Sequence, residues 1–399
     1  MPPFFYFYRM KKSMGKIKVA ISVTNCICYD QRVLKMADVL AEMNADIIII
    51  GRWKDKFCDE VTLPYRTVRF KMIFKKGFLF YKFYNIRLFF YLMFHRFDLI
   101  IANDLDTLLA CYLASVIKCL PLVFDSHEYF TGLPEVINRP IVRSVWKLIE
   151  KICLPHLKYS ITVNEPFARL YEDNYSIKPI VVRNCSRTAH HIKSYTKKEL
   201  GVPESDFLII IQGTGINVDM GVGELVNAMG TLKDSFLIVA GSGDMVPEMK
   251  KIVTELKLEN KIKFIGPFPW DELIRYTKAA DAGLIITRDT NLNYHYSLPN
   301  KLFDYIAAGI PIITSNLPLI TDIITQYNCG IILPEITAEE IAEAINVLRN
   351  NRIMYSTLKE NTLRASEELN WGKESEKVRE FYENIFFKEV RIKKILSNT

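Results

Sequence analysis

Short apolar runs rich in Val and Ile recur along the chain at 17–23, 46–50, 99–102, 121–124, 160–163 and 180–182. They recur again at 207–211, 236–240, 262–265, 282–286, 311–314 and 330–333. Longer amphipathic segments separate them. Continuous apolar runs of this length, alternating with helical periodicity, are the sequence form of parallel strands buried on both faces and joined by crossover helices. Two sets of six predict an α/β chain of two Rossmann-like, doubly wound parallel-sheet domains. The stretch 187–205 between the sets is polar and basic, has no strand pattern and holds Gly201 and Pro203, so a linker is expected there. The pattern gives a first domain over 1–190, a linker over 191–204 and a second domain over 205–372. A last helical segment within 373–399 follows Trp371, has no place in the second sheet and is expected to cross back onto the first domain.

Length and composition agree with this division. A chain of 399 residues exceeds what one core usually serves, and its 49% hydrophobic content can fill two. Its 24% charged residues, with no Gly-Pro-Ser tract, exclude a disordered or collagen-like chain. The eight cysteines at 26, 28, 58, 111, 119, 153, 185 and 329 form no CxxC pair and no zinc-like cluster with His, and are expected as reduced core thiols. Residues 1–10 are aromatic, but the run is short and lacks a small-residue cleavage site, so a cytoplasmic protein is expected. No stretch approaches the ~20 apolar residues that cross a bilayer.

Charge is distributed unevenly. Residues 1–200 hold 31 Lys and Arg against 18 Asp and Glu, whereas residues 201–399 hold 21 against 27. Within the basic half, 70–97 interleaves Lys71, Lys75, Lys76, Lys82, Arg87 and Arg96 with twelve Phe and Tyr. Two readings of this segment stand side by side: a peripheral contact with an anionic membrane surface, or a core helix hairpin with a solvated basic face. No helix-turn-helix, zinc-finger or RNP-like signature accompanies the basic charge, so no nucleic-acid partner is expected.

Polar residues gather where the expected strands end. Thr24, Asn25, Asp30 and Arg32 follow the first strand, Asn103, Asp104 and Asp106 the third, and Asp125, His127 and Glu128 the fourth. In the second half Gly213 and Gly215 follow one strand, Gly241 and Gly243 the next, and SLPNKLFDYIAAGIP (297–311) leads into another. In open parallel sheets these carboxyl ends are where ligands bind. Neither glycine pair matches GxGxxG, and 213–223 lacks the Gly-Lys-Ser/Thr of a nucleotide-hydrolysing loop. Pro299 suits a helix first turn, so a diphosphate could rest on N–H groups near Ser297 and Leu298 with Lys301 as a point charge. Asp304, one turn on and on the face of Asn300 and Lys301, could accept two ribose hydroxyls, although Lys301 and Asp304 also make an ordinary i,i+3 ion pair. Two such rims facing one another would form a cleft.

With these residues in place, the chain resembles the family 4 glycosyltransferases of the GT-B fold, in particular the capsule and exopolysaccharide enzymes. The likeness runs from about residue 16 to 387. It rests on DQRV at 30–33, FDSHE at 124–128, VRN at 182–184, QGTGIN at 212–217, VAGSGD at 239–244, AADAGL at 280–285 and the 297–311 segment. It implies two domains facing across a cleft and retaining transfer of a hexosyl or N-acetylhexosaminyl group, with no metal and no cofactor beyond the nucleotide-sugar donor itself. The acceptor it implies is a glycan or a lipid-linked sugar. By position, Asp304 matches the acid that holds the ribose, Lys301 the cation on the diphosphate, Gly213 and Gly215 the phosphate-facing turn, and His127 a histidine near the transferred sugar. Gly241, Ser297, Leu298 and Asn300 join the donor side, and Phe268 falls near the nucleobase. Asp30, Arg32, Asp104 and Glu128 fall on the acceptor side.

Two departures stand out. Tyr296 replaces an acid many relatives carry, and Met220 replaces an arginine of the turn after QG. Loss of that guanidinium would weaken the diphosphate site unless Arg288, Lys301 or Lys278 compensates. These changes keep two alternatives open: a non-catalytic nucleotide-sugar- or glycan-binding subunit, and a sugar-nucleotide epimerase on the same architecture.

Overall fold

The computed structural model describes residues 16–27, 30–53 and 62–391. The chain divides into two compact units. The first comprises residues up to Thr131, then Glu135–Val182 and the chain from Ser375; the second comprises Gly132–Pro134 and Arg183–Glu374.

The first unit is a seven-stranded parallel sheet: β1 (Ile17–Ser22), β2 (Ala45–Arg52), β3 (Arg66–Phe70), β4 (Leu99–Asn103), β5 (Leu122–Ser126), β6 (Tyr159–Thr162) and β7 (Ile180–Val181), in spatial order β3-β2-β1-β4-β5-β6-β7. Its helices are α1 (Gln31–Glu42), α2 (Gly77–Phe94), α3 (Leu105–Lys118), α4 (Pro140–Cys153) and α5 (Glu165–Tyr175). β1 pairs with β2 on one side (Ile17 opposite Ala45) and β4 on the other (Val19 opposite Leu99). The direction of strand succession therefore reverses at β1, which opens a crevice at the carboxyl ends of β1 and β4. Val19, Ile21, Leu99, Ile101 and Val123 are buried, which is why these runs carry no polar alternation.

β3 is the strand that the apolar pattern misses. Its sequence, RTVRF, has two apolar residues in five. As an edge strand paired only to β2 it needs no continuous apolar run, and charged side chains suit an edge. The aromatic segment 70–97 is not a hairpin: its helical part is the single helix α2, whose buried stripe is Phe80, Tyr84, Leu88 and Leu92. Among the described residues, no helix is long and apolar enough to cross a membrane. Nor are all eight cysteines thiols, because Cys26 is disulfide-bonded; Cys28 and Cys58 lie outside the described residues, as do residues 1–10.

The second unit is a six-stranded parallel sheet: β8 (Phe207–Gly213), β9 (Ser235–Gly241), β10 (Ile262–Ile265), β11 (Ala282–Ile285), β12 (Ile312–Ser315) and β13 (Gly330–Leu333), in order β10-β9-β8-β11-β12-β13. Here the switch lies between β8 and β11. Its helices are α6 (Val222–Thr231), α7 (Val246–Glu255), α8 (Trp270–Ala279), α9 (Asn300–Ala308), α10 (Pro318–Tyr327), α11 (Ala338–Asn350) and α12 (Arg352–Glu368). A further helix, α13 (Trp371–Ile385), begins in this unit and from Ser375 belongs to the first, where Arg379 pairs with Glu42 and Tyr382 is buried.

The stretch expected as a linker lies within the second unit. Lys278 donates from its ammonium to the carbonyls of Ala189 (2.9 Å) and Ile192 (2.6 Å). Thr196 and Glu199 form a reciprocal cap on a one-turn helix, and Leu200 and Val202 are buried in the core. Backbone bonds and two buried apolar side chains tie this stretch to the unit, while Lys193, Lys198, Glu199 and Glu204 stay exposed.

Candidate functional site

In the first unit a charged cluster forms at the carboxyl ends of β4 and β5. Asp104 starts α3 with φ at +57°, and its carboxylate accepts the backbone N–H of His127 at 2.8 Å. The imidazole stands between two carboxylates: Nδ1 is 3.4 Å from Asp104 and Nε2 is 3.6 Å from Asp125. Nε2 is buried and makes no hydrogen bond. Burial alone would lower the His127 pKa, but Asp104 and Asp125 outweigh it and raise it to about 9. At neutral pH His127 is therefore a cation.

Its neighbours explain its rigidity. Burial would raise the pKa of Asp125, yet Arg32 and His127 hold it down at about 2. Arg32 is 2% exposed and donates to both oxygens of Asp125 (3.1, 3.2 and 2.7 Å) and to the carbonyl of Val182 at 2.8 Å. Expected on the acceptor side, Arg32 instead bolts β5 to the chain after β7, because a guanidinium with no solvent needs bidentate and carbonyl partners. Asp30 caps α1 by accepting from Val33 N–H. It also lies near enough to His127 to raise its pKa, and Glu128, exposed next to it, interacts with Asp104 and His127. Asp106, hydrogen-bonded by Thr24, is pushed up to about 8 by burial and then by Asp104.

In the second unit the glycine-rich strand ends interlock. Ser242 N–H donates to Gly213 O and Ile216 N–H to Ser242 O, both at 3.0 Å. Gly213 and Gly241 have φ of +147° and +137°, and a Cβ on Gly241 would sit 1.9 Å from Gly213 O. Gly241 is therefore a packing requirement of the paired strand ends. Gly213 and Gly215 are less crowded: a Cβ on Gly213 would meet Gly215 N, Lys301 Cε and Lys301 Nζ at 3.9, 3.9 and 4.0 Å, and one on Gly215 the Asn217 amide at 3.6 Å, all ordinary contacts.

Lys301 thus reaches over the end of β8 from the first turn of α9. It is 9% exposed, and burial lowers its pKa to about 8 with no offsetting carboxylate. An ammonium with little solvent and no carboxylate partner, beside a glycine turn and a helix first turn in which Leu302 N–H already donates to Pro299 O at 3.0 Å, is chemically suited to receive an anion. Asp304 is not its ion-pair partner. The Asp304 carboxylate is 5% exposed and accepts from Trp270 Nε1 (2.8 Å), Gln212 Nε2 (2.8 Å) and the Ser186 hydroxyl. At least three donors from within the unit therefore engage the carboxylate that was expected to hold two ribose hydroxyls.

The other donor-side positions divide. Ser297 N–H donates to Tyr294 O, so it is committed within its loop; Leu298 packs against the core. Asn300 is exposed and accepts from the Asn184 amide at 2.6 Å. Phe268 stacks on Tyr276, centroids 5.3 Å apart and planes 9° apart. The compensating cations also divide: Arg288 pairs with Glu224, Lys278 is held by backbone carbonyls, and Met220 packs against the core. Sequence reasoning did not assign Gln212, Trp270 and Ser186. Gln212 could have been found from its place before Gly213; the other two, 34 and 118 positions from Asp304, carry no local signal.

Comparison with known proteins follows this division. Residues 31–185 match the model of Glycosyltransferase Family 4, and residues 192–364 that of Glycosyl transferases group 1. The chain is 27% identical over 104 residues to the amylovoran biosynthesis glycosyltransferase AmsK of Erwinia amylovora, covering 26% of each. It is 22% identical over 280 residues to the chitobiosyldiphosphodolichol beta-mannosyltransferase of Debaryomyces hansenii, covering 59% of this chain and 56% of that one. The matches thus span between a quarter and just over half of these curated relatives. Among solved structures, sucrose-phosphate synthase from Thermosynechococcus elongatus superposes with TM-score 0.74 at 16% identity, over 93% of this chain and 99% of that one. Anabaena HepE, solved with UDP and glucose, superposes at 0.71 and 16%, over 92% and 99%. Identity this low speaks for the fold, while the two family models, one on each sheet and together covering most of the chain, speak for descent. The chain belongs to the family 4-like glycosyltransferases of the GT-B fold.

Proposed function

We propose that the protein transfers a hexosyl or N-acetylhexosaminyl group from a nucleotide-sugar donor to a glycan or lipid-linked acceptor, with retention and without a metal, in surface polysaccharide biosynthesis at the cytoplasmic side of a membrane. The observation that carries this reading is Lys301, a buried ammonium with no carboxylate to offset its burial, set over Gly213 at the first turn of α9. Such a group is costly in the empty protein and favourable once a diphosphate arrives. Negative charge grows on the leaving diphosphate as the glycosidic bond breaks, so Lys301 and the N–H groups of that turn would act most strongly in the transition state. Asp304 would hold the Gln212–Trp270–Ser186 network in place beside the ribose. In the first unit the His127 cation would meet the hydroxyls of the transferred sugar, with Asp30, Asp104 and Glu128 on the acceptor side.

Related proteins support a nucleotide donor and a glycan product. HepE is solved with UDP and glucose, MnaA of S. aureus with UDP, AmsK acts in amylovoran biosynthesis, and the D. hansenii relative is a chitobiosyldiphosphodolichol mannosyltransferase. Calorimetric titration with UDP-, GDP- and ADP-sugars, followed by transfer of labelled sugar and assignment of the product anomer, tests the reading. No binding and no turnover across the panel with acceptor present would refute it, and an inverted anomer would refute retention alone. With Met220 packed against the core, Arg288 paired with Glu224 and Lys278 held by carbonyls, Lys301 alone of the cations weighed above is left for the diphosphate, which favours as second reading a non-catalytic binding subunit; turnover by the purified chain eliminates it.

A further inference from the structure

The first unit carries an apolar surface that its own core does not use. β3 to β4, β4 to β5 and β5 to β6 all step in one direction across the sheet, so right-handed crossovers place α2, α3 and α4 on one face. The helices pack side by side: α3 lies against both others, and Tyr81 of α2 meets Trp146 of α4 edge-on at 5.2 Å. Lys118, at the end of α3, donates to the carbonyls of Leu92 and His95 at the end of α2.

Each helix turns a second apolar stripe outward. On α2 it is Leu79, Phe83, Ile86, Phe90 and Phe94, the last 81% exposed. On α3 it is Leu113, Val116 and Ile117. On α4 it is Ile141, 83% exposed, with Val145, Leu148 and Ile152. These spacings of three and four residues are those of helices buried on that side as well. Thirteen of the twenty large apolar side chains exposed among the described residues lie on these three helices. Scattered singly they would need no explanation; gathered on one face they mark a contact surface.

Charge selects the partner. The segments 71–97, 112–118 and 139–152 contain one acidic residue, Glu150, and it is buried against Thr131 and Tyr175. Lys75, Lys76, Lys82, Lys147 and Lys151 are exposed beside the apolar stripes. Exposed Glu135 stands at the margin, near Tyr81, but a symmetric contact with a second copy would still set a predominantly basic surface against itself. We infer that the α2–α3–α4 face is a docking surface for an anionic lipid bilayer, with the apolar stripes seated in the interfacial region and the lysines on the headgroups. Lys stems lie along apolar surface while their ammonium groups reach phosphate. The inference deepens the membrane part of the reading above by naming its surface, and it does not depend on the transfer reaction.

Flotation of the full chain with vesicles of phosphatidylcholine alone, or mixed with phosphatidylglycerol, tests it. The chain binds the mixed vesicles at low salt, binds them less at high salt, and binds the neutral ones weakly. Lys147→Glu with Lys151→Glu lowers partitioning about tenfold or more, since one surface lysine is worth about fivefold. Phe90→Ser with Leu148→Ser, both at exposed positions, lowers it at either salt while thermal unfolding stays unchanged. Absence of binding to the mixed vesicles at low salt overturns the inference, as does binding insensitive to both double variants. Concentration-dependent self-association abolished by Phe90→Ser with Leu148→Ser, without vesicle binding, assigns the face to a second copy instead. Donor titration without vesicles stays independent of every one of these outcomes.

Discussion

Replacing Lys301 by Met separates the stability cost of a buried cation from its use. Burial lowers the lysine from 10.5 to about 8. At about 1.4 kcal/mol per unit, charging this group inside the empty protein costs about 3 kcal/mol more than in the unfolded chain. The folded pKa lies below the unfolded one, so between pH 8 and 10.5 the unfolded chain binds more protons and wild-type stability rises with pH. Below that window the cost is fully present. Met keeps most of the stem's volume and removes the ammonium. The variant should therefore gain up to about 3 kcal/mol at neutral pH and lose the rise with pH. It should also lose a charge-assisted contact worth about 1.5–3 kcal/mol, a ten- to hundredfold higher Kd for the nucleoside diphosphate that binds best. Urea unfolding at neutral pH and across pH 8–10.5, with calorimetric titration, measures both. A variant less stable than wild type that binds nucleotide equally well would show the ammonium to be satisfied within the unit, and the reasoning would fail.

His127 has its pKa raised from 6.5 to about 9, so its contribution to stability is complete below pH 6.5 and is lost as pH rises through 9; transfer should fall over the same alkaline range. His127→Gln should lower turnover about ten- to hundredfold and abolish that alkaline limb, and a pH–rate profile with the limb intact would assign it to another group. Arg32→Met strands Asp125 without its partner and should cost about 3–5 kcal/mol in unfolding free energy while leaving nucleotide affinity unchanged; unaltered stability in urea would show that Asp125 has other support. Trp270→Phe removes a donor to Asp304 and should cost about 1–3 kcal/mol, so an unchanged urea midpoint would mean that another donor takes its place.

The sheets were legible because parallel strands buried on both faces must be apolar throughout, and twelve such runs stand out from their amphipathic neighbours. β3 escaped that logic: at an edge, RTVRF satisfies its environment with two apolar residues. Glycine pairs and FDSHE marked strand ends, because tight turns and charged clusters there need residues that sequence shows directly. Their duties were another matter. Arg32 and Asp304 read as ligand contacts, since a charge in a motif looks the same whether it faces solvent or not.

Only the packed units revealed the partners. Asp125 absorbs the Arg32 guanidinium, Trp270 and Ser186 reach Asp304 from distant positions, and Lys278 ties the chain at 189–192 to the second unit through its backbone carbonyls. The aromatic segment was ambiguous for the same reason. A stripe that faces the core and one that faces outward have the same periodicity, and only the placement of α2 beside α3 and α4 shows which is which. Periodicity is set by local geometry and survives in one dimension. Burial and pairing depend on which segments the fold brings together, and no single stretch of chain contains that information.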